Sequence, residues 1–457
     1  MSVDKLVLPH EPELALSVVS ESVVGIDGPN AEPYILPLSG FDRLVRGYPV
    51  TVLYVYSTNP SSSSSSSVFD AIKSALPKAL DQFFPFAGTV ARYSPNGEVI
   101  CNNAGARLLE ASANFPLSRL NFYDLDGTTK NTLLPASADH LLNVQVTRYT
   151  CGGFSVSWTF DHQVTDAYGF SRLVASLCDA ARAGQPPSAP VSHERSFLLR
   201  PRSPPAFGAL VDRTFTALTD AELLDLPQTG VTSRHLYFVE GPTLERLRAE
   251  ASSGSKRTRT EALAAYIWKV MATTIDDDES GGASCRLGVI VDGRTRMGED
   301  MSGFVGNVLS MAVREESVRG LKERSLAEVA ACVSAAIREV ANEDHFLDVV
   351  DWVECHGQGK KAAAEIAFGR GAPAVVVNST HHIPTMSADF GFGRPSLGVM
   401  LPTLGWYGPG YVTMAATGRS DGSLFVSLIV RPELAAALES DTDCILRPIN
   451  LDHLQLS

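Results

Sequence analysis

The sequence predicts a mixed α/β (α+β) protein built as two lobes. Segments with the two-residue alternation of strands and segments with the three- and four-residue spacing of helices follow one another in both halves of the chain. At 457 residues the chain exceeds what one hydrophobic core usually organises. The proline-rich stretch 185–206 has little periodicity and marks the boundary. We therefore predict an N-terminal lobe over residues 1–185, a crossover linker over 186–230 and a C-terminal lobe over 231–457.

The first half of the chain carries a predicted helix and a predicted hairpin. Apolar residues share one face over 72–83, and Pro77 is expected to weaken or kink this helix. Alternating residues over 142–147 and 154–160 predict two strands, and the Gly-Gly pair between them predicts the turn.

The second half repeats this mixture of elements. Helical spacing is present over 261–269 and, with an amphipathic pattern, over 322–342. An apolar strand is predicted over 287–291. Two more strands, 411–416 and 424–430, flank a Ser-Asp-Gly turn and predict another hairpin.

His162 stands where the second strand of the first hairpin meets a helix predicted over 170–181. At such a junction, rigid elements can hold a reactive side chain at the edge of a sheet. A histidine there is more commonly a hydrogen-bonded structural residue. Asp166 also suits the N-cap of the following helix. The two residues by themselves leave the structural and the functional interpretation open.

Composition excludes several classes of protein. The formal charge of −13 argues against nucleic-acid binding. No apolar run is long enough to span a bilayer, and the first residues do not form a signal peptide. Seven scattered cysteines without a CxxC pair predict neither a zinc site nor a disulfide framework. Separated thiols fit a reducing compartment, so a cytoplasmic location is expected.

Several familiar catalytic motifs are absent from the sequence. There is no P-loop, no HExxH and no dinucleotide-binding GxGxxG. His381 and His382 are adjacent, so on an extended segment they point to opposite faces, and no metal site is predicted. What remains is a histidine base without an evident protein nucleophile. Such a base can deprotonate a substrate hydroxyl or amine, which then attacks an activated acyl group.

Two motifs together resemble those of a known family. Residues 162–166 read His-Gln-Val-Thr-Asp, an HxxxD pattern, and residues 389–393 read Asp-Phe-Gly-Phe-Gly, a one-residue variant of DFGWG. In this order and at this separation they resemble the plant BAHD family of coenzyme-A-dependent acyltransferases. Further stretches similar to the family follow in matching order: LPLSGFDR (36–43), FFPFAG (83–88), EVICNNAGARLLEA (98–111), TEALAAYIWK (260–269), VDGRTRM (291–297) and GFVGN (303–307).

The resemblance implies two lobes of similar fold, related to chloramphenicol acetyltransferase, with a channel between them. His162 would lie in mid-channel as the general base, its tautomer fixed by a hydrogen bond to the other ring nitrogen. Asp166 would point away from the channel and pair with an arginine, for which Arg294 and Arg296 are the candidates.

The second motif is implied to be structural as well. Asp389, with Gly391 and Gly393, would shape the interface between the lobes near the coenzyme mouth. Phe392 stands where the family usually has Trp.

Acyl-CoA is implied as a co-substrate, whereas no permanently bound cofactor and no metal is implied. Its phosphates need a local cationic mouth on an acidic protein. Lys256, Arg257 and Thr258 precede a helix whose N-terminus would add donors for phosphate oxygens. A solvated basic turn is the alternative interpretation.

Residues near the two motifs are candidates for contacts to the tetrahedral intermediate and to the acceptor. Thr165, Ser379 and Thr380 are candidate oxyanion donors. Relatives that use shikimate carry a Trp and an Arg where this chain has Thr380 and His382, so a cationic handle for an acceptor carboxylate is missing there. His382 is therefore a candidate acceptor contact of another kind.

The predicted function is transfer of an acyl group from CoA to a hydroxyl or amine of a plant specialised metabolite. The acyl group is expected to be hydroxycinnamoyl or another aromatic one, the transfer direct within a ternary complex, and the protein a monomer. The first alternative is an acetyl- or malonyl-CoA-dependent member of the same family. The second is a non-catalytic relative that binds ligands.

Overall fold

The computed structural model describes residues 13–28, 32–57, 67–91, 98–134, 136, 138–185, 190–195, 199–226, 230, 232–276, 282–298, 300–402 and 410–456. The strands are β1 (Leu16–Val24), β2 (Tyr34–Pro37), β3 (Pro49–Tyr56), β4 (Thr89–Val90), β5 (Glu98–Cys101), β6 (Ala106–Ala113), β7 (Leu142–Arg148), β8 (Phe154–Asp161), β9 (Phe215–Leu218), β10 (Ser233–Val239), β11 (Ser284–Asp292), β12 (Leu309–Ser317), β13 (Lys361–Ala364), β14 (Ala374–Ser379), β15 (Leu397–Pro402), β16 (Gly410–Ala416), β17 (Leu424–Val430) and β18 (Arg447–Pro448). The α-helices are α1 (Gly40–Leu44), α2 (Val68–Gln82), α3 (Leu125–Thr132), α4 (Ala167–Ala183), α5 (Ala209–Thr214), α6 (Asp220–Leu224), α7 (Gly241–Ala251), α8 (Arg259–Thr273), α9 (Val318–Glu323), α10 (Leu326–Val340), α11 (Glu343–His356), α12 (Pro432–Glu439) and α13 (Leu451–Leu454).

Two large sheets organise these elements. One has six strands in the order β1-β6-β7-β8-β3-β15, and the other has seven in the order β12-β11-β14-β16-β17-β10-β18. Helices α2 and α4 pack on the first sheet, whereas α8 and α10 belong to the core of the second. This arrangement confirms the predicted mixed α/β class.

The predicted first hairpin forms and sets the position of His162. Strands β7 and β8 pair antiparallel, with Val144 opposite Trp158. Trp158 is fully buried, and Phe160 stacks on Phe170 of α4 with ring centroids 4.5 Å apart. Strand β8 and α4 are therefore packed together on both sides of the turn that carries His162.

Strand β15 makes the predicted lobe boundary wrong at one place. Although it lies within residues 231–457, it pairs antiparallel with β3 of the first sheet, Leu397 opposite Val55. Its buried residues join a core cluster that contains Leu53 from the first sheet and Phe425 from the second. The strand leaves its own half of the chain because this shared core buries its apolar side chains.

Helix α2 forms as predicted and includes Pro77. Two other local predictions differ from the structure. The described part of linker 186–230 contains α5, β9 and α6, and β9 pairs with β13. The region 322–342 contains two helices, because Ser325 and Glu328 form a capping box that starts α10. No helix in the part of the chain that is described combines the length and the apolar character needed to cross a bilayer.

A buried ion pair connects α4, which packs on the first sheet, to the end of β11, a strand of the second sheet. Asp166 is the N-cap of α4 and accepts from the backbone N–H groups of Tyr168 and Gly169. Its Oδ2 lies 2.8 Å from Nη1 of Arg294, and its Oδ1 accepts from Nη2 at 3.0 Å. The two side chains are only 1% and 6% exposed, so water cannot solvate either charge if the other is removed.

We expect Asp166→Asn to lower the melting temperature, because it leaves the buried Arg294 guanidinium with only the more distant Asp292 carboxylate, at 3.3 Å, as its counter-charge. Removing one member of a buried pair costs about 3–5 kcal/mol, and Asn can still cap the helix, so about 3 kcal/mol is expected. Thermal unfolding followed by circular dichroism measures the effect. Arg294→Met should also lower the melting temperature, because it leaves the Asp166 carboxylate buried without its partner. Arg296→Met is the matched control and should lower the melting temperature much less. A fully stable but inactive Asp166→Asn protein would contradict the structural role.

Candidate active site

The turn between β8 and α4 is held through its backbone on two sides. The His162 N–H donates to the carbonyl of Tyr48 at 2.8 Å. The His162 carbonyl accepts from Nδ2 of Asn307 at 2.9 Å. One contact comes from the first sheet and the other from the segment that leads into β12, so the position of the histidine depends on both halves of the chain.

The His162 ring is half-buried, and its two nitrogens differ in their surroundings. Nδ1 is buried and has no hydrogen-bond partner among the described residues. The described residues therefore do not supply the hydrogen bond that was expected to fix the tautomer of His162. The neighbouring Asp161 carboxylate does not supply it, because it accepts from the backbone and side-chain nitrogens of Gln163. Nε2 is not among the buried unpaired atoms, and the residue lines the cavity described below.

A buried polar cluster, formed by Asp42, Arg195 and Asn307, lies behind the turn. Asp42 accepts from Nε of Arg195 at 2.7 Å and from Nδ2 of Asn307 at 2.8 Å. Arg195 also donates from Nη2 to the carbonyl of Val164 at 2.6 Å. These three residues were not predicted as site residues. Asp42 and Asn307 lie in LPLSGFDR and GFVGN, two of the stretches similar to the family, which is the signal that could have found them.

Of the two candidate arginines, Arg294 contacts Asp166. Burial lowers the pKa of the Arg294 guanidinium, but the carboxylates of Asp166 and Asp292 raise it, and the net shift is upward. Arg294 also donates to the carbonyl of Gly306 at 2.5 Å. Arg296 instead donates to the carbonyl of Asp292 at 2.6 Å, so its predicted pairing with Asp166 is wrong.

His162 opens into a cavity that both sheets line. Val50 and Phe160 contribute apolar walls from the first sheet, and Ile290 and Tyr411 come from the second. Burial raises the pKa of Asp292 in the same wall, although Arg294 opposes this. The cavity thus combines apolar walls with a few polar groups near one histidine, which is how small-molecule sites are built.

Two of the candidate oxyanion donors are already engaged. Thr165 donates its hydroxyl to the carbonyl of Val305 at 2.5 Å and does not line the cavity, so its prediction as an oxyanion donor is wrong. Gly169 packs so closely there that a Cβ would lie 2.1 Å from the Thr165 hydroxyl oxygen. The Thr380 hydroxyl lines the cavity but donates to the carbonyl of Met414 at 3.0 Å. This bond argues against Thr380 as an oxyanion donor.

Ser379 and His382 do lie in the cavity wall. The Ser379 hydroxyl is 2.9 Å from that of Thr260 and 2.6 Å from Nδ1 of His381. Burial and the nearby His382 and Arg259 lower the pKa of His381. Ser379 therefore connects the cavity to the start of α8.

The basic cluster stands beside the cavity rather than within it. Thr258 caps α8 in a capping box with Glu261, and Lys256 is exposed. Arg257 is half-buried, with Nη1 3.4 Å from the hydroxyl of Ser334. None of the three predicted residues lines the cavity, but Thr260, two residues after Thr258, contacts Ser379 in its wall.

The Asp-Phe-Gly-Phe-Gly segment folds around its own carboxylate, away from the cavity. Asp389 accepts from the N–H of Gly391 at 2.8 Å and from that of Gly393 at 3.0 Å. Both glycines have φ near +95°, at 97° and 95°, which other residues rarely adopt. Phe392, in place of Trp, makes an edge contact with Phe154 at 6.2 Å. The segment shapes the loop that leads into β15.

Among the described residues, no group of three His, Cys, Asp or Glu side chains is arranged to hold a metal ion. The cavity offers imidazole, hydroxyl and amide groups and apolar surface, and it is also lined by the paired charges of Arg294 with Asp166 and Asp292, so Asp166 does not point fully away from it as expected. That chemistry is suited to proton transfer between bound organic substrates.

Comparisons with known proteins agree with this arrangement. A model of the Transferase family matches residues 15–414. Anthranilate N-benzoyltransferase protein 1 of Dianthus caryophyllus is 29% identical over 357 residues, which cover 73% of this chain and 77% of that protein. Agmatine hydroxycinnamoyltransferase 1 of Oryza sativa subsp. japonica is 27% identical over 391 residues, which cover 79% and 83%.

Solved structures share the fold at low sequence identity. The crystal structure of vinorine synthase superposes with a TM-score of 0.74 at 16% identity, covering 95% of this chain and 99% of that chain. That of F. graminearum TRI101 complexed with coenzyme A and T-2 mycotoxin superposes with a TM-score of 0.71 at 14% identity, covering 91% and 99%. Because the family model spans most of the sequence, the chain belongs to the Transferase family, the BAHD acyltransferases with a chloramphenicol-acetyltransferase-like fold.

Proposed function

We propose that this protein transfers an acyl group from coenzyme A to a hydroxyl or amine of a small acceptor, with His162 as the general base. The observation that carries the proposal is the half-buried His162 side chain, which lines a cavity shared by both sheets while its backbone is held on two sides. A base held in this way can meet an acceptor from one side and a thioester from the other.

The reaction is a proton transfer coupled to acyl transfer. His162 Nε2 takes the proton of the acceptor hydroxyl or amine, and the acceptor atom forms a bond to the thioester carbonyl carbon. The resulting tetrahedral intermediate collapses as the carbon–sulfur bond breaks, and the CoA sulfur takes the proton back from the imidazolium. The Thr165 and Thr380 hydroxyls donate to carbonyl oxygens, whereas the Ser379 hydroxyl can accept from Thr260 and His381 and keep its own proton for the oxyanion.

Direct transfer fits the surroundings of the possible protein nucleophiles. All seven cysteines lie in the described part of the chain, and none lines the cavity. Burial raises the pKa of Cys178 to about 12 and that of Cys285 to about 11. Residues 418–422 match the GxSxG spacing of a nucleophile elbow, but they form a hairpin turn between β16 and β17, and Ser420 is exposed.

We propose an aromatic acyl donor, hydroxycinnamoyl or a related group. This rests on the names of the two relatives, which transfer benzoyl and hydroxycinnamoyl groups, and on the apolar walls of the cavity. Acetyl- or malonyl-CoA is the alternative donor, and a non-catalytic ligand-binding protein is the alternative function. A panel of acyl-CoA thioesters and acceptors, followed through the release of free thiol, separates the three. The cytoplasmic location and the monomeric state stay predictions from the sequence.

We place the coenzyme phosphates near the start of α8. Lys256 and Arg257 supply positive charge there, and the helix N-terminus supplies donors. Thr260, at the start of α8, contacts Ser379 in the cavity wall, so this wall lies close to the positive charge of Lys256 and Arg257. The thioester would then extend from α8 past Ser379 towards His162.

His162→Ala should lower kcat by about 10²–10⁴, because it removes the proposed general base. Circular dichroism should show an unchanged fold. His140→Ala is the matched control, since His140 is half-buried and does not line the cavity. If His162→Ala keeps most of its activity, a different residue is the base.

Lys256→Ala combined with Arg257→Ala should raise the KM for acyl-CoA about three- to tenfold and leave that for the acceptor unchanged. The effect should shrink as salt rises, because exposed charges are screened over about 8 Å at physiological ionic strength. Arg319→Ala with Lys322→Ala, an exposed basic pair on α9, is the control. An unchanged donor KM in the Lys256 and Arg257 variant would place the phosphates elsewhere.

Initial rates at several fixed acceptor concentrations should give intersecting double-reciprocal lines, because both substrates occupy the cavity together. Parallel lines, or a burst of free CoA without acceptor, indicate an acyl-enzyme. Either result would point to Ser379, whose hydroxyl lies 2.6 Å from His381. Ser379→Ala should then abolish the burst, whereas under direct transfer there is no burst to abolish.

A further inference from the structure

Two neighbouring strands of the second sheet bring polar side chains into the cavity wall. Strands β14 and β16 run parallel, and Asn378 is paired in register with Thr413. Both residues line the same cavity as His162, as does Tyr411 two positions before Thr413. None of these three residues is in a motif, and the proposed proton transfer uses none of them.

The Thr413 hydroxyl lacks a protein partner. The residue is 3% exposed, and Oγ1 is buried without a hydrogen bond to any described residue. A buried hydroxyl that makes no hydrogen bond is costly, so such groups in native proteins almost always have a partner. A partner for Thr413 can come from the cavity that it lines.

Asn378 adds a complementary group next to Thr413. Its Nδ2 donates to the Tyr411 hydroxyl oxygen at 3.0 Å. Its Oδ1 accepts no hydrogen bond from a described residue, which leaves an acceptor for a ligand in the cavity that Asn378 lines. The wall therefore presents a carbonyl oxygen, which accepts, beside a threonine hydroxyl, which can donate or accept.

The chemistry of this pair selects its ligand. Asn378, Tyr411 and Thr413 are neutral. The cavity's charged residues Asp166, Asp292 and Arg294 are paired with one another, so a charged group bound at this wall would lose its hydration without gaining an unpaired counter-charge. A carbonyl-type ligand could not use the Asn378 oxygen, because it has no proton to donate. A hydroxyl group can donate to Asn378 Oδ1 and accept from Thr413 at the same time.

We propose that Asn378 and Thr413 form a subsite that binds a hydroxyl group of the substrate. The subsite rests on the proposed acyl transfer and deepens it, because it makes the enzyme selective for a hydroxylated substrate over its deoxy analogue. A site built to hydrogen-bond a hydroxyl discriminates against analogues that lack one, because its own polar groups are then left unpaired. The hydroxyl belongs to the aromatic ring of the donor or to the acceptor, and the experiment separates these sources.

The donor arm compares p-coumaroyl-CoA with cinnamoyl-CoA, which differ by one ring hydroxyl. Wild-type protein should prefer p-coumaroyl-CoA in kcat/KM, and Thr413→Val should reduce that preference about three- to tenfold, the effect of one neutral hydrogen bond. Thr413→Ser keeps the hydroxyl and should keep the preference. Titration calorimetry of both thioesters gives the same ratio from affinities and does not require turnover.

The acceptor arm compares tyramine with phenethylamine in the presence of CoA, again by calorimetry and, where they react, by rate. If the hydroxyl belongs to the acceptor, Thr413→Val reduces the preference for tyramine and leaves the donor ratio unchanged. Thr159→Val is the matched control, because Thr159 lies in the first sheet, bonds to Thr51 and does not line the cavity. It should change neither ratio.

Two failures are distinguishable. If Thr413→Val changes neither ratio while wild-type protein turns over acyl-CoA, the subsite is overturned and the acyl transfer stands. If no thioester is turned over with any acceptor, the proposed function fails. The affinity ratios then still support the subsite, if Thr413→Val reduces one of them, or overturn it, if neither changes.

Discussion

The position of the histidine depends on a buried carboxylate that lies behind it. Asp42 is fully buried, and its two oxygens accept from the N–H and hydroxyl of Ser39, from Arg195, and from the backbone and side chain of Asn307. A buried charge is tolerated only when it is paired and hydrogen-bonded as fully as this. Because Asn307 also donates to the His162 carbonyl, helix α1, the linker and the segment before β12 must all be in place before the histidine has a defined position.

The ion pair between Asp166 and Arg294 acts on the other end of the same turn. It fixes the start of α4 against the end of β11, while Arg294 also holds the Gly306 carbonyl next to Asn307. The two buried clusters are therefore neighbours and share the segment 303–307. These buried ion pairs hold the two halves of the protein in a fixed relative position, and the cavity lies between them.

The residues around His162 and the residues of the cavity walls meet different requirements. His162 and its supports require particular polar geometry, whereas the walls require only apolar surface with a few hydrogen-bonding groups. Asn378, Thr413 and His382 line the cavity without contributing to the described backbone contacts of His162, so they can differ without changing its position.

Local pattern in the sequence determined the elements that carry the base. The hairpin of β7 and β8, the helix that follows and the junction between them depend on residues that are neighbours in the chain, and each was predictable from its spacing. The role of Asp166 as a helix cap follows from the same local rules. Tertiary structure alone decided that β15 joins β3, that Arg294 rather than Arg296 reaches Asp166, and that Thr165 turns to Val305. It also decided that Nδ1 of His162 is buried and that Asn378 and Thr413 meet in one wall. These outcomes depend on partners that are tens to hundreds of residues away, and periodicity along the chain carries no information about which distant side chain fills a given space.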